Sequence, residues 1–310
     1  MKIVKTRAGL MILFVLGVSV LASCGKPTQK FDASAYRQEV EQWQRQRGVR
    51  LSSEDGWLTL CGLFWLKEGE NKFGDDSSNA VVFPKGKTPR TAGSIWLDHG
   101  KLHLVARPKA HVKYRDSVVT NMAINSDDAG VADPTILNMG TLSFYVIKRG
   151  DQYGVRMKDK QNPARLNFKG LEYFPVDPKW RIEAKFEPYV PPKILKIASV
   201  VGTVEDDSCP GAIVFDIDGT SLRLDAVIEK GSEDQLFIMF SDETSGKETY
   251  GMGRQLYSGL PDHDGNVILD FNKAYNWPCV FTEFATCPIP PRQNHLPVRV
   301  EAGEKMYAGH

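Results

Sequence analysis

The sequence predicts a mainly β fold, an antiparallel β-barrel or sandwich with an N-terminal helical segment. Three observations carry this. From Asn79 onward, apolar and polar residues alternate with a period of two, the spacing of half-buried strands. Gly, Asn and Asp punctuate these runs at short intervals, as hairpins require. Ahead of them, the apolar residues instead recur at helical spacing.

The helical part comes first. In FDASAYRQEVEQWQRQRGV, Tyr36, Val40 and Trp43 fall at i, i+4 and i+7, one face of a helix over Asp32–Val49. Asp32 or Ser34 caps its start and Gly48 ends it. The next stretch, LSSEDGWLTLCGLFWLKEGENKFG, places Trp57, Cys61 and Phe64 on a second helical face, so residues 32–66 are expected to form a helical cap. Residues 67–310 are then the antiparallel β domain. SIWLDHGKLHLVA turns at His99-Gly100, and Thr135 to Asp159 reads as three strands. RIEAKFEPY, KILKIASVVGTVE and QLFIMFSD continue the pattern. Pro188, Pro191 and Pro192 mark a bend that would divide the domain into two β halves near 188–192.

IVFDIDGT (Ile213 to Thr220) resembles the first motif of haloacid-dehalogenase-like phosphatases, in which Asp216 would attack phosphorus and Asp218 would assist. That motif requires a strand followed by a helix. Here TSLRLDA follows, with Leu222, Leu224 and Ala226 at strand spacing. Asp-Gly between two alternating runs is a strong hairpin signal, so IVFDIDGT is expected to be a strand and its turn.

The N-terminus carries Lys2, Lys5 and Arg7 ahead of an apolar run from Gly9 to Ala22. This is shorter than the roughly 20 residues of a spanning helix and has the pattern of a signal peptide, 1–23. Leu21-Ala22-Ser23-Cys24 resembles the lipobox of bacterial lipoproteins. That resemblance implies export and an acyl (palmitate-type) anchor on Cys24, followed by a tether over 24–31. Membrane attachment through the lipid, with the outer membrane favoured, is the expected location. Removing the three basic residues of the leader takes the net charge from +1 to −2. With no basic-aromatic stripe, nothing points to nucleic acid.

Familiar catalytic motifs are missing: no G-x-S-x-G, H-E-x-x-H or Walker loop occurs. His99 and His103 diverge when separated by a strand turn, and Asp262-His263-Asp264-Gly265 lacks the distal acid of a calcium loop, so no metal or cofactor is expected. Cys279 and Cys287 are close enough in sequence for a disulfide in an exported protein; buried free thiols are the alternative. Two polar groupings stand out. The first is Arg149, Arg156, Asp159 and Arg165, in which Arg149 and Arg156 flank a tight turn and Arg156 could fork to Asp159 or to an anion. Asp242, Thr244, Tyr250 and Arg254 are followed by Asp270, Asn272, Tyr275 and Asn276. Internal ion pairs tying loops to a rim are the structural alternative.

GWLTLCGLFWLKEGENKFG, the block Arg149 to Phe174, SDETSGKETYGMGR and DFNKAYNWPCVFTEFATCPIPPRQNHLPVRVEAGEK together resemble a bacterial family known as domain of unknown function 1684, over about Tyr36 to Tyr307. The family pattern falls on Arg149, Arg156, Asp159, Asp242, Tyr250, Arg254, Asp270, Asn272, Tyr275, Asn276, Cys279, Cys287 and Asn294. Trp277 and His295 depart from it. The resemblance implies no activity.

The function expected from these residues is that of a binding module for a small polar or anionic ligand. Arg156, Asp159, Tyr250, Arg254, Asn272 and Tyr275 would line its rim. A hydrolase with Asp159 or Asp270 as base and Arg254 as clamp is the competing expectation, and a structural envelope protein is the third.

Overall fold

The computed structural model describes residues 31–128, 133–229 and 231–308; the expected leader, Cys24 and tether up to residue 30 lie outside them. Helix α1 (Ala33–Leu51) opens the described chain and buries Tyr36, Val40, Arg47 and Leu51. Gly48 does not end it. The helix runs on until the Ser52 and Ser53 hydroxyls donate back to the carbonyls of Gly48 and Arg50. Among the described residues, no helix is long and apolar enough to cross a membrane.

The stretch after α1 departs from expectation. Only one 3-10 turn forms at Trp57–Thr59, and Leu60–Trp65 is a strand, β1. A six-residue apolar run satisfies either period, and tertiary pairing decides it. β1 lies antiparallel to β8 (Gln152–Asp159), with Phe64 opposite Val155. The helical cap therefore ends at Leu51 rather than at residue 66.

Between them run β2 (Gly69–Gly74), β3 (Gly93–Asp98), β4 (Lys101–Ala106), β5 (Asn121–Ile124), β6 (Leu137–Met139) and β7 (Leu142–Arg149). They make two sheets. One contains β1-β8-β7-β6 and the other β2-β3-β4-β5, each extended by short two-residue strands. Phe73, Phe83, Ile95, Leu104, Phe144 and Met157 form their shared core. Phe83 and Phe144 meet there edge to face at 5.1 Å.

A second pair of sheets follows. β9 (Arg181–Ala198), β10 (Val204–Ile217), β11 (Thr220–Ala226) and β14 (Asn266–Asp270) form one; β12 (Gln235–Asp242) and β13 (Arg254–Gly259) centre the other. Ile213, Leu224, Ile238, Phe240, Leu256 and Phe271 fill the core between them. Among the described residues the strand ladders are antiparallel apart from short parallel contacts at Val81–Val82 and His295–Leu296, and isolated parallel bridges join Ser126 to Val146 and Ser245 to Thr249. The fold is the mainly β, antiparallel architecture with an N-terminal helix that the sequence predicts.

The changeover between the two cores falls between β8 and β9, not near 188–192. Pro188, Pro191 and Pro192 sit inside β9, where pairing with β10 lapses between Pro188 and Lys193 and then resumes. Proline has no N–H to give a ladder, so the strand bulges there without ending. Beyond the bulge, β9 and β10 pair with each other, and this arm reaches the 287–289 segment: Val200 N–H donates to the Cys287 carbonyl (3.0 Å) and Ile289 N–H to that of Ala198 (2.7 Å). IVFDIDGT forms the β10–β11 hairpin, with Ile217 opposite Thr220. Asp218 and Gly219 take φ of 51° and 80°, the left-handed pair that a two-residue hairpin turn needs.

Helix α1 is held to the second core by polar contacts. Tyr36 Oη donates to Asp270 Oδ1 (2.7 Å) and accepts from Asn272 Nδ2 (2.9 Å). Burial pushes the Tyr36 phenol up, and Asp270 adds to this. Tyr36→Phe strips a buried carboxylate and a buried amide of the same partner. It should lower unfolding free energy by about 2 kcal/mol and Tm by about 4–8 °C, measured by calorimetry; an unchanged Tm would show that the Tyr36 hydroxyl does not help to hold α1.

Candidate functional site

The residues singled out in the sequence separate into a structural network and a site. Arg254 is 1 % exposed and donates to Asp242 Oδ2 (3.0 Å), to the Val300 carbonyl (2.9 Å) and to the Ala302 carbonyl. Asp242 accepts in addition from Val300 N–H (2.9 Å) and Thr244 Oγ1 (2.6 Å). Both side chains are cut off from solvent, so this pair clasps the C-terminal segment and does not face a rim.

Asp270 and Asn272 hold α1, as above. Tyr275 lies under the Arg47 guanidinium, 4.5 Å from Cζ to ring centroid. Asn276 is fixed by Glu304, whose Oε2 accepts from Asn276 N–H (2.8 Å) and whose Oε1 accepts from Arg47 Nε (3.0 Å). Burial raises the Glu304 carboxyl, with Arg47 opposing. Asn294, 1 % exposed, latches β11 to β12 through the Asp225 and Met239 carbonyls.

Arg156 and Asp159 do not meet. Three positions apart on β8, they point to opposite faces of the strand. Asp159 forms an ion pair with Lys87 and accepts from Gln161 N–H (2.9 Å). Burial raises its carboxyl, and these partners more than offset that, leaving it below the usual range. Arg165 donates to the backbone carbonyls of Ser52 and Lys160. His99 bonds Asp98 and His103 bonds Asn121, each at 2.7 Å.

What the fold does bring together is Arg156, Tyr250, Cys279 and Cys287, where the first β half meets the 277–287 segment. Arg156 is 3 % exposed, yet among the described residues it has no carboxylate partner. Nη2 donates to Thr286 Oγ1 (3.0 Å), the buried Nε has no hydrogen-bond partner, and Cζ lies 5.6 Å from the Trp57 ring centroid. Arg149 donates to the same Thr286 oxygen (3.1 Å) but is neutralised by a forked pair with Asp127.

Pro278 starts a 3-10 turn, Pro278–Val280, for which its fixed φ and missing N–H suit the first position. The N–H of Cys279 has no partner within so short a turn and donates to Cys287 Sγ (3.2 Å). The two cysteines are not bonded. The Cys287 thiol hydrogen-bonds the Cys279 sulfur, which lowers the Cys279 thiol against its burial, and the Arg156 charge helps. The same bond, with burial, raises Cys287. Burial pushes Cys61 up to about 12 and Cys209 to about 11. Tyr250, half-buried beside the pair, is raised by burial and by both sulfurs. Trp277, whose Nε1 has no partner, belongs to the same apolar cluster.

Thr286 and Trp57 were not legible as site residues. A threonine before a cysteine carries no signal, and Trp57 reads as helix core. Arg47 and Glu304 escaped as the clasp around α1 for the same reason: a long-range ion pair has no local pattern.

Residues 166–305 match the model of a family described as "Protein of unknown function (DUF1684)". The matched stretch contains Tyr250, Cys279, Thr286 and Cys287; Trp57 and Arg156 lie before it. The extent read from the sequence, 36–307, is wider than this match. An uncharacterised protein of Haloarcula marismortui with a solution NMR structure is 34% identical over 47% of this chain and 81% of its own, with a TM-score of 0.39. No curated protein matches.

Because the other three thiols among the described residues, Cys61, Cys209 and Cys287, are raised, Cys279 should be the one of these four that alkylates. With iodoacetamide and peptide-resolved mass spectrometry, its reaction should turn on with rising pH at a midpoint below the ordinary 9.0. Cys287→Ala should move that midpoint up, and Arg156→Met should move it up by less. A midpoint at or above 9.0 in the unaltered protein would contradict the geometry.

Proposed function

For a chain that carries a domain of the DUF1684 family over residues 166–305, we propose a binding function: an exported lipoprotein, anchored by acylated Cys24, that holds a small anionic ligand at Arg156. One observation supports the reading above the others. Arg156 is 3 % exposed and has one side-chain hydrogen bond, to a neutral hydroxyl. An unanswered buried charge costs several kcal/mol, a cost that a stability-selected side chain would avoid and that an anion would offset through charge-assisted bonds to Nε and Nη. On this reading an anion would come to the guanidinium past Trp57, Tyr250 and Thr286, all three half-buried, and the two rings would supply apolar walls.

The hydrolase alternative would need Asp159 or Asp270 beside Arg254. Arg254 instead spends its donors on Asp242 and on C-terminal carbonyls, Asp159 is engaged by Lys87 and Asp270 by Tyr36.

Thermal unfolding at pH 6, where Cys279 is more protonated than at neutral pH, tests the anion reading. Sulfate, phosphate or a sugar phosphate at 100 times its dissociation constant should stabilise by about 2.7 kcal/mol and raise Tm by about 5–10 °C. Arg156→Met should lose that response while its anion-free Tm stays level or rises, because a buried unpaired charge has been replaced by a side chain of similar volume. An equal anion response in Arg156→Met would sink the site. For the anchor, Cys24→Ser should release the protein from the membrane fraction and abolish palmitate labelling; unchanged membrane retention would contradict it.

A further inference from the structure

We propose that Cys279 and Cys287 form a dithiol site that exchanges with low-molecular-weight disulfides, Cys279 attacking and Cys287 resolving. This does not rest on the anion reading: it stands on the placement of the two sulfurs. Cys279 is half-buried and Cys287 is 5 % exposed, so of the two sulfurs an incoming disulfide meets Cys279 first. The backbone N–H of Cys279 already donates to Cys287 Sγ at 3.2 Å, which holds the second sulfur against the first residue and leaves little to rearrange when they join. Arg156, beside both, is a positively charged neighbour not committed to any carboxylate among the described residues, and a cation next to a thiol favours the nucleophilic thiolate. Cys209, 0 % exposed, spends its S–H on the Gly211 carbonyl (3.4 Å).

The chemistry balances without a cofactor. The Cys279 thiolate attacks one sulfur of R–S–S–R, forming a mixed disulfide as the R–S–S–R bond breaks and one R–S⁻ leaves. Cys287 gives its proton to solvent and attacks the Cys279 sulfur, breaking the mixed bond, and the second R–S⁻ leaves. The two protein thiols are oxidised by two electrons, and the small disulfide is reduced to two thiols. The product bond ties the 3-10 turn to the 287–289 segment that the β9–β10 arm holds down. Arg156 acts here as a positioning residue for the Cys279 charge.

The test uses the reduced full-length protein and oxidised glutathione, read by intact mass and peptide mapping. The unaltered protein should end with two hydrogens lost and a Cys279–Cys287 link. Cys287→Ser should stop with one glutathionyl group on Cys279, and Cys279→Ser should take up none at residue 287. Arg156→Met should slow trapping near pH 7, and the deficit should shrink as pH rises past the Cys279 midpoint, which a merely structural role would not produce. Unchanged thermal unfolding of both serine variants confirms that each is folded. The proposal is overturned if glutathione enters Cys61 or Cys209 as fast as Cys279, if Cys287 reacts equally in Cys279→Ser, or if the folded protein is inert while the denatured chain reacts.

Discussion

Arg254 has no water to turn to, and much of the C-terminal architecture follows from what its charge requires. Its Nη donors are answered by Asp242 and by the carbonyls of Val300 and Ala302, so the 300–302 segment must lie along β12 and β13. Gly303 then turns the backbone at φ 75°, where an added Cβ would sit 2.3 Å from the Ala274 carbonyl oxygen. That turn delivers Glu304 to the Arg47 guanidinium and the Asn276 amide. Removing one member of such a buried pair leaves the other uncompensated, at a cost of about 3–5 kcal/mol.

The site inherits its geometry from this clasp. With Asn276 fixed, the chain proceeds through Trp277 into the Pro278 turn, and Cys279 is presented to the face of β8 that carries Arg156. From the other side, the β9–β10 arm holds the Cys287 carbonyl. The two buried arginines thus contrast. Arg254 has its charge answered by a buried carboxylate and its Nη donors by backbone oxygens, and it holds the fold together, although its Nε, like that of Arg156, has no partner. Arg156 faces a hydroxyl, an indole and two sulfurs, a setting that leaves its charge available to chemistry. A thiolate at Cys279 and an external anion are alternative answers to the same charge, so oxidation of the thiols and occupancy by an anion are linked through one guanidinium.

Local chemistry made the fold readable. Asp218-Gly219 announced its hairpin because few other residue pairs accept two successive left-handed conformations, and Tyr36, Val40 and Trp43 announced α1 by spacing alone. Leu60–Trp65 did not, since a short apolar run takes its conformation from the strand beside it. The site was readable only as an inventory. Arg156, Tyr250 and the two cysteines stood out by residue type, but so did Asp159, Arg254 and Asn272. What separates them is which strand face each occupies and which partner, sometimes more than two hundred residues away, it finds. Arg156 and Asp159 illustrate the point: their spacing looked like a fork and proved to span the two faces of β8.

If a small anion binds this protein as proposed, the Arg156 guanidinium is the group it meets. Arginine Nε–Hε resonances report this directly, because Nε lacks a partner at Arg156 and would gain one on binding. Titrating the reduced protein with inorganic phosphate at pH 6 should move one Nε–Hε signal, the one absent from Arg156→Lys, in a saturable way. If that signal stays still while the others drift together with ionic strength, the guanidinium is a structural element and the binding account is wrong.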